Sequence, residues 1–453
     1  MESNKVFVDN KWELEGFVTQ KGATAGLKAG FVGVGQGGGK MVDALASIKD
    51  AASGNQVYPC IVANSNLGDL TNIKNVPDNL KFGMKGYETG VGKDPELGRV
   101  AFQKNGEKIF EAIANEMSGC DIIVVVVALG GGTGTGAINV LVEAIRSYLG
   151  KPVIAFTSLP RPNEIESRNA YNALSELVGK LSLTEQDEET GEPYRLLESL
   201  VILDNEKIFE EHIKEPEMKG LTWDFYSNYK LASVWHELSV LTSLGSDYTV
   251  DVADLMNHIL LGGGVITFAK KKINLDDFKN QKDLINDIVS TYRGKNVLAN
   301  GFDYEKDMRS MAMVVVMPKS RADELNQDTI ELIRSKVREE LPTVNFYPGI
   351  ATNNSQRNAI VYTMANMAGL PERAKNLRNE AEELLKKREE RESKASGFNM
   401  GEKLEVAKPK GTFAASKKGN PFAQKETAAA SEASPAAKEK KNPFAAFAEK
   451  MGD

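Results

Sequence analysis

The feature that most constrains the fold is the apolar run Ile122–Leu129, which is followed at once by the glycine-rich segment Gly130–Gly136. The run has the length of a strand and no polar face, as expected of a strand in a parallel sheet buried on both sides. Shorter apolar runs recur between residues 30 and 205, where they read FVGVG, CIVAN, VIAFTSL and LVILDN. Because helical patterns separate them, the sequence predicts an α/β fold with a parallel sheet and ligands at the carboxyl ends of its strands.

Length and composition narrow the class of protein. At 453 residues, the chain is long enough for two packed domains with accessory segments. Its 41% hydrophobic and 26% charged residues are typical of soluble proteins, and no apolar run is long enough to cross a bilayer. The N-terminus lacks an apolar signal stretch, so we expect a cytoplasmic protein without membrane insertion. Cys60 and Cys120 are predicted to be reduced, partly buried thiols, and the three histidines form no zinc motif.

Apolar periodicity and charge divide the rest of the chain into predicted segments. Apolar residues at spacings of three and four predict a buried connecting helix over Trp223–Ser243, and a second α/β unit follows it. A long charged helix is predicted from Pro371 to Lys394. The predicted segments are an N-terminal extension (1–28), a first α/β domain (29–222), a central helix (223–248), a second domain that begins with a loop (249–370), the long helix (371–394) and a tail (395–453).

The tail is rich in Ala, Lys, Ser, Gly and Pro and has few aliphatic residues, so it is predicted to be disordered. It repeats the sequence NPFA at residues 420–423 and 442–445, in each case close to lysines. Two interpretations stay open at this point. The repeats are either docking motifs for a partner or for DNA, or chance repetition in an entropic spacer.

Two glycine-rich turns follow predicted strands, and such turns let backbone N–H groups surround a phosphate. The first turn, Gly33–Lys40, opens a helix, and its candidate phosphate contacts are Gly35, Gln36, Gly37, Gly38 and Lys40. It contains a GxGxxG match, so a dinucleotide site of the dehydrogenase type is one alternative. A P-loop is excluded because Val34 and Met41 occupy positions that require Gly and Ser or Thr.

The second turn is denser in glycine. It consists of Gly130, Gly131, Gly132, Thr133, Gly134, Thr135 and Gly136. Backbone donors and two hydroxyls at this density suit a di- or triphosphate held from the side opposite the first turn. A dehydrogenase needs no second turn of this kind, whereas a glycine-rich turn without any ligand is the structural alternative.

The segment GGGTGTG resembles the signature loop of the tubulin and FtsZ family, which binds GTP, and further motifs match in order. Gly35 and Gln36 fall where tubulins contact phosphate, and Gly90 and Gly92 lie in a segment similar to the FtsZ loop that senses the γ-phosphate. The segment Asn64-Ser65-Asn66 resembles the family's Asn-Thr-Asp turn, with Asn64 as a nucleotide contact. Since Asn66 replaces the usual acid near Mg²⁺, the metal ligand is not assigned, and Asp69 could reach the ion through water.

The resemblance also implies residues for the nucleoside. Glu164 and Arg168 match the family's ribose-contacting acid and its neighbouring arginine, and Asn205 falls at the next ribose contact. An exposed helical ion pair is the alternative interpretation of the first two residues. On the predicted central helix, Phe225 is expected to stack on the base and Asn228 to bond the edge of guanine. Core packing and capping are the alternative roles of this aromatic residue and this amide.

The segment Thr249–Leu255 resembles the FtsZ segment that completes the active site of the neighbouring subunit. Its aspartates, Asp251 and Asp254, are three residues apart, so on a helical turn both carboxylates share one face and can polarise a water. The resemblance makes them the catalytic residues, and capping of the following helix is the alternative.

The resemblance as a whole implies a tubulin-like architecture. It consists of an α/β GTP-binding domain with a Rossmann-like parallel sheet (29–222), a central connecting helix, a smaller α/β activation domain with the catalytic loop (249–370), a long C-terminal helix and a disordered tail. The implied activity is the hydrolysis of GTP to GDP with Mg²⁺ in a head-to-tail polymer of the protein with itself. The long helix and lysine-containing tail are most similar to the TubZ type that segregates plasmid or phage DNA, whose tail engages a DNA-bound adaptor protein. The alternatives are an FtsZ-like division-ring protein and, from another class, an NAD-dependent oxidoreductase.

Overall fold

The computed structural model describes the greater part of the chain, including both predicted domains and the long helix. The described residues are 7–8, 12–20, 22–50, 53–186, 191, 193–214, 220–244, 249–294, 297–324, 327–353 and 358–394. The predicted disordered tail (395–453) and its NPFA repeats lie outside them. Within these ranges no helix is both long enough and apolar enough to cross a bilayer.

Fourteen strands and thirteen α-helices occur in the described ranges. The strands are β1 (Phe7–Val8), β2 (Trp12–Glu13), β3 (Ala29–Val34), β4 (Cys60–Asn64), β5 (Lys81–Gly83), β6 (Ile122–Ala128), β7 (Val153–Leu159), β8 (Thr184–Gln186), β9 (Pro193–Arg195), β10 (Ser199–Asp204), β11 (Gly264–Ile273), β12 (Met308–Pro318), β13 (Asn345–Asn353) and β14 (Ala359–Met367). The helices are α1 (Gly35–Ala46), α2 (Leu67–Leu70), α3 (Pro95–Glu116), α4 (Thr133–Leu149), α5 (Glu164–Ser182), α6 (Asn205–Lys214), α7 (Trp223–Leu241), α8 (Val252–Asp254), α9 (Gln281–Val289), α10 (Thr291–Gly294), α11 (Tyr304–Asp307), α12 (Gln327–Glu340) and α13 (Glu372–Lys394). A π-helix spans Leu255–Leu260, and 3-10 helices span Gly16–Thr19, Asp78–Leu80, Leu275–Asp277 and Lys319–Glu324.

Ten strands form one sheet in the order β13-β12-β14-β11-β10-β7-β6-β3-β4-β5. All neighbours from β11 to β5 are parallel, and β14 pairs antiparallel with both β11 and β12. The predicted α/β class with a parallel first sheet is confirmed, and β3, β6 and β7 are buried along nearly their whole length. The short pairing of β10 with β11, from Ser199 opposite Gly264 to Val201 opposite Ile266, joins the two predicted domains into one continuous sheet.

Helix α7 is the buried connecting helix, and it ends at Leu241, two residues before the predicted end. Nineteen residues at 1.5 Å per residue give it a length of about 28 Å. Its Trp235 is fully buried and packs edge-to-face on Phe31 and Phe156 of the sheet, with ring centroids 5.9 and 5.2 Å away. The helix therefore runs through the core from one end of the parallel strands toward the other.

The long C-terminal helix α13 packs against α5. Its Ala374, Leu377 and Ala381 are buried at the spacing of one helical face, while the charged remainder is largely exposed. Polar contacts continue this packing, since Ser167 Oγ donates to Glu380 at 2.6 Å and Arg388 pairs with Glu164 at 2.6 Å. The helix is thus attached beside the carboxyl end of β7, from which α5 begins.

A buried charged cluster joins the N-terminal segment to α7 and to strands β11 and β14. Glu237 of α7 has no exposed surface, and its carboxylate accepts hydrogen bonds from Lys270 of β11 at 2.8 Å and from the Tyr362 hydroxyl at 3.0 Å. Glu15 pairs with the same lysine at 2.7 Å, and its backbone N–H donates to Glu237 at 3.1 Å. The apolar patterns used above carry no signal for such a cluster. Cys60 and Cys120 are free thiols, and both are buried rather than partly buried as predicted.

Candidate nucleotide-binding site

The two glycine-rich turns meet at the carboxyl ends of β3 and β6. Helix α1 begins at Gly35, whose φ of +76° favours glycine, and a Cβ added there would lie 3.0 Å from the backbone N of Gly134. At Gly37 a Cβ would lie 2.3 Å from the Cβ of Ala128. Helix α4 begins at Thr133 in the second turn. The positive ends of two helices therefore point into the same space, which favours an anion there.

That space is a cavity of about 510 Å³, which we call the phosphate cavity. The glycine-rich turns line it through Gly35, Gln36, Gly37, Gly131, Gly132, Thr133 and Gly134. A second cavity of about 420 Å³, the nucleoside cavity, is lined by Lys40, Asn205, Trp223, Ser227 and Asn228, among others. Since Gln36, Asn205 and Trp223 line both, the two cavities adjoin. Each is of the size that small-molecule sites commonly have.

Four of the predicted phosphate contacts do not line either cavity. A Cβ at Gly38 would lie 2.2 Å from the carbonyl oxygen of Val126, and one at Gly136 would lie 2.0 Å from that of Pro95. These two glycines therefore allow helices to pack closely against β6 and α3. Gly130 has a φ of +106°, and its N–H donates to Thr135 Oγ1 at 3.0 Å. Gly130 and Thr135 thus shape the turn from behind the cavity wall.

The opposite wall of the phosphate cavity includes Asn64, Asp69, Gly90 and Gly92. The Asp69 carboxylate accepts hydrogen bonds from the side-chain amides of Gln36 and Asn64, each at 3.2 Å. Asn66 accepts a hydrogen bond from the Gly68 N–H at 2.9 Å and caps the short α2. The side chain at the position of the family's acid is therefore used as a helix cap, while Asp69 presents a carboxylate to the cavity wall.

An ion pair that the sequence did not reveal lies on the same cavity. Lys93 Nζ is 2.5 Å from Glu166 Oε1, and both residues belong to the cavity lining. Lys93 has a φ of +63° in the loop that follows Gly90 and Gly92. This pair brings the loop before α3 against the first turn of α5.

Of the three predicted ribose residues, one lines the cavities and two do not. Asn205 lines both cavities, and it lies 3.4 Å from the Ser158 and Ser227 hydroxyls. Glu164 and Arg168 line neither cavity, and their side chains pair at 3.2 Å, which is the helical ion pair weighed above. Glu164 is also held by Arg388 of α13. The acid of α5 that reaches the cavity is Glu166, two residues further along the chain.

Of the two predicted base contacts, one lines the nucleoside cavity and the other does not. Asn228 lines the nucleoside cavity, whereas Phe225 does not, because it packs against the core and stacks on Tyr229 with ring centroids 4.0 Å apart. The aromatic residue that lines both cavities is Trp223, at the first position of α7. A two-residue offset on a helix turns a side chain by about 200°, so the sequence motif alone could not distinguish these positions.

Lys40 and Asp224 close the nucleoside cavity with an ion pair of 2.8 Å between α1 and α7. Partial burial raises the pKa of Asp224, but hydrogen bonds from Lys40 and Thr222 and the Lys40 charge outweigh it and lower the pKa. The carboxylate is therefore ionised at neutral pH. It presents hydrogen-bond acceptors at the wall, and Lys40 presents donors.

Asp251 and Asp254 lie far from both cavities. The Asp251 carboxylate accepts the backbone N–H of Asp254 at 2.8 Å and caps α8, which the π-helix follows directly. A Cβ at Gly26, just before β3, would lie 2.8 Å from Val252, so the segment sits at the amino ends of the strands. The nucleoside cavity is at the start of α7, whereas a Cβ at Gly26 would also lie 2.1 Å from Thr242 Oγ1, just past the end of that helix. The helix, about 28 Å long, therefore runs between the cavity and the segment that carries the aspartates.

These features are those of an α/β protein whose parallel sheet carries, at its switch point, two glycine-rich turns suited to a phosphate-bearing ligand. Comparison with known proteins agrees. The profile of the "Tubulin/FtsZ family, GTPase domain" matches residues 28–184, and that of the "Tubulin/FtsZ-like protein TubZ-like, C-terminal domain" matches residues 237–378. The chain belongs to the tubulin/FtsZ family, and it is a guanine-nucleotide-binding GTPase of the TubZ-like type.

Individual relatives are similar over most of the chain. The tubulin-like protein TubZ of Bacillus cereus is 28% identical over 438 residues, which cover 90% of this chain and 95% of that protein. The tubulin-like protein CetZ4 of Haloferax volcanii is 29% identical over 55% of this chain and 61% of that protein. Among solved structures, a GTPγS-form protofilament of Bacillus thuringiensis serovar israelensis TubZ has the same fold. Its TM-score is 0.72 at 23% identity, over 83% of this chain and 97% of that one.

Proposed function

We propose that this GTPase binds GTP with the triphosphate in the phosphate cavity and the guanosine in the nucleoside cavity. The two helix N-termini and the backbone N–H groups of the turns would hold the phosphates, and Asn205 would contact the ribose between the two cavities. Trp223 and Asn228 line the nucleoside cavity, where Trp223 would stack on the base and Asn228 would bond its edge. The position of Asn205 in both linings is what supports this orientation of the nucleotide.

We infer that Mg²⁺ accompanies the triphosphate. Magnesium is usually bound through one or two carboxylates together with phosphate oxygens and waters. The residues present fit this ion, because Asp69 offers a carboxylate on the phosphate cavity and Gln36 and Asn64 hold that carboxylate in place. When bound, the ion would neutralise charge on the phosphates. Asp69 would hold it directly or through a water.

The observation that carries the catalytic proposal is the separation of Asp251 and Asp254 from the cavities by the length of α7. Carboxylates at the far end of a helix about 28 Å long cannot act on a nucleotide bound at its start in the same chain. They can act on the nucleotide of a second chain stacked head-to-tail, where they would orient and polarise the attacking water. Hydrolysis to GDP would then require assembly. Support comes from relatives, since TubZ structures include protofilaments and a two-stranded filament.

A mixing experiment tests the shared site. Asp251→Ala removes the carboxylate but leaves the nucleotide cavities intact, and Gly131→Asp places a carboxylate in the phosphate cavity but leaves the loop intact. At subsaturating GTP, each variant alone is expected to hydrolyse GTP at about 1% of the parent rate or less. Asp251→Ala loses a catalytic group, which costs about 10²-fold or more, and Gly131→Asp loses about 100-fold in GTP affinity. A mixture of the two should exceed the sum of the separate rates, since Gly131→Asp subunits can cap GTP held by Asp251→Ala subunits.

The matched control is the double variant Gly131→Asp with Asp251→Ala, which should not stimulate Asp251→Ala. GTP-dependent pelleting of Asp251→Ala shows whether filaments form without turnover. If the single variants sediment together but the mixture hydrolyses no more GTP than its components, the site is not shared. If Asp251→Ala turns over GTP at the parent rate, the catalytic role is refuted.

We further propose that the filaments act in the cytoplasm to move plasmid or phage DNA, with the tail beyond residue 395 engaging a DNA-bound adaptor protein. The support is similarity to TubZ, one structure of which is described as a type III plasmid segregation protein. The test is to end the chain after Lys394 and follow plasmid loss and filaments in the same cells. Filaments without plasmid retention support the proposal. Unchanged retention contradicts it, and a division defect would instead favour a ring protein.

A further inference from the structure

Arg161 lines the phosphate cavity just after the end of β7, in a segment to which no sequence motif pointed. It lies between Pro160 and Pro162. A proline restricts the residue before it to extended backbone, so Pro162 limits the conformations of Arg161. The Pro160 carbonyl accepts a hydrogen bond from Arg373 of α13. The backbone that carries this guanidinium group is therefore held on both sides.

The guanidinium group of Arg161 is itself held by two contacts from α6. Its central carbon lies over the Phe209 ring, 3.5 Å from the ring centroid, which is an attractive cation–π geometry. Its Nε donates to Glu206 at 2.8 Å. Within the part of the chain that the structure describes, its two terminal nitrogens make no hydrogen bond. The side chain is 42% exposed, so these N–H groups are accessible to a ligand.

The same two contacts place Arg161 where the phosphate and nucleoside cavities adjoin. Glu206 directly follows Asn205, which lines both cavities. Phe209 packs edge-to-face on Trp223, with ring centroids 6.1 Å apart, and Trp223 also lines both cavities. Phe209 thus contacts both the guanidinium group and the indole on which the base would stack.

The segment of Arg161 also borders the second glycine-rich turn. A Cβ added at Gly130 would lie 3.2 Å from the Cβ of Pro160. Arg161 is therefore between Asn205, the proposed ribose contact, and a turn that would hold phosphates. The phosphate attached to the ribose must lie on this path. Paired N–H groups of a guanidinium match the oxygens of a phosphate, and the group stays charged at any pH of interest.

We propose that Arg161 is a further nucleotide-binding residue, whose terminal N–H groups bind the α-phosphate, and that Phe209 is its positioning residue. This assignment rests on the nucleotide orientation proposed above, with the ribose at Asn205. Glu206 bonds at Nε and leaves the terminal nitrogens to the ligand. Because GDP and GTP both carry an α-phosphate, the contact retains either nucleotide and does not distinguish between them.

Competition against N-methylanthraniloyl-GDP, at subunit concentrations below those that form filaments, measures the affinities for GDP and 2′,3′-dideoxy-GDP. We expect Arg161→Met to lose about tenfold in affinity for both ligands, the value of a hydrogen bond to a charged group on a partly exposed side chain. Arg161→Lys keeps the charge without the planar fork and should recover part of that loss. Arg378→Met is the matched control, because Arg378 also pairs through Nε with a glutamate at 2.8 Å, and it should bind as the parent does.

Phosphorus NMR of bound GDP identifies the phosphate that is contacted. The α-phosphorus resonance should move in Arg161→Met, and the β-phosphorus resonance should move less. Phe209→Leu removes the ring under the guanidinium group and should also weaken GDP binding. Since the two residues act through one contact, the double variant should lose less affinity than the product of the two single losses. Circular dichroism checks that each variant is folded.

The proposal is overturned if Arg161→Met binds GDP as the parent does while Gly131→Asp, measured beside it, loses affinity. The phosphates would then occupy their cavity without Arg161. A loss for GDP that is absent for the dideoxy ligand would assign Arg161 to the ribose instead, and an unmoved α-phosphorus resonance would also contradict the contact. If Gly131→Asp and Arg161→Met both bind GDP normally, the proposed placement of the nucleotide fails as well. Fully multiplicative losses in the double variant would remove the role of Phe209.

Discussion

Gly131→Asp tests whether the phosphates occupy the space between the glycine-rich turns. Gly131 lines the phosphate cavity, its φ is not positive, and a Cβ there meets no heavy atom within 4 Å. The neighbouring glycines have no such space. A Cβ at Gly132 would lie 2.5 Å from the Val91 side chain, and a Cβ at Gly134 would lie 2.6 Å from the Val34 carbonyl oxygen. Substitution at Gly131 should therefore preserve the fold, whereas substitution at the other two positions would strain it.

The magnitude follows from Coulomb's law. A carboxylate about 6 Å from a single phosphate charge is repelled by roughly 3 kcal/mol at an effective dielectric constant near 20. That energy corresponds to about a 100-fold loss of GTP affinity, and further phosphate charges add to it. The asparagine of Gly131→Asn has nearly the same shape as aspartate but no charge, so we expect this variant to lose less than about tenfold in GTP affinity.

The assay is a fluorescence titration with N-methylanthraniloyl-GTP on the parent and both variants, with Gly179→Asp as a surface control. Circular dichroism at matched concentration checks that the fold is retained. The reasoning is refuted if Gly131→Asp binds as the parent does. It is also refuted if Gly131→Asp and Gly131→Asn lose equal affinity, because shape rather than charge would then be responsible.

Two further predictions concern buried ionisable groups. Burial lowers the pKa of His236 from 6.5 to about 4, so the unfolded chain takes up a proton first as the pH falls. This residue's contribution to stability is therefore complete above about pH 6.5 and lost progressively toward pH 4. By pH 4.5 the buried neutral ring should lower the free energy of unfolding by roughly 2 to 3 kcal/mol. In urea unfolding, His236→Phe should therefore lose less stability between pH 7 and pH 4.5 than the parent does. Lys270→Met removes the cation from the Glu237 cluster and should lower the free energy of unfolding by about 3 to 5 kcal/mol, because a buried carboxylate loses its partner. Adding Glu237→Gln should recover much of that loss, and equal stability of Lys270→Met and the parent would contradict this account.

The sequence predicted elements whose signal is local. Unbroken β-branched runs predicted the buried parallel strands, because a strand covered on both faces has no polar positions. The glycine-rich turns predicted a phosphate site, since only glycine allows backbone to approach as closely as Gly35 and Gly134 do. The spacing of Leu377 and Ala381 predicted the long C-terminal helix, whose apolar face is buried.

Assignments that depend on side-chain direction could not be made in the same way. Phe225 and Trp223 are two residues apart, and only the packing of α7 shows that Trp223 lines the cavities. The same holds for Glu164 and Glu166. Arg388 of α13 forms an ion pair with Glu164, whereas Glu166 pairs with Lys93 on the cavity. Each choice was decided by residues distant in sequence.

By itself, then, the sequence of this chain determined the α/β class, the two glycine-rich turns and the resemblance to tubulin and FtsZ, because short segments with strong conformational preferences carry them. Only the tertiary structure decided that one continuous sheet joins the two halves, and that the segment with Asp251 and the nucleoside cavity lie at opposite ends of α7. The burial of His236 and its hydrogen bond with Tyr58 were likewise decided there. The physical reason is that cavities, ion pairs across elements and distances between sites arise from packing between segments, for which no local pattern exists.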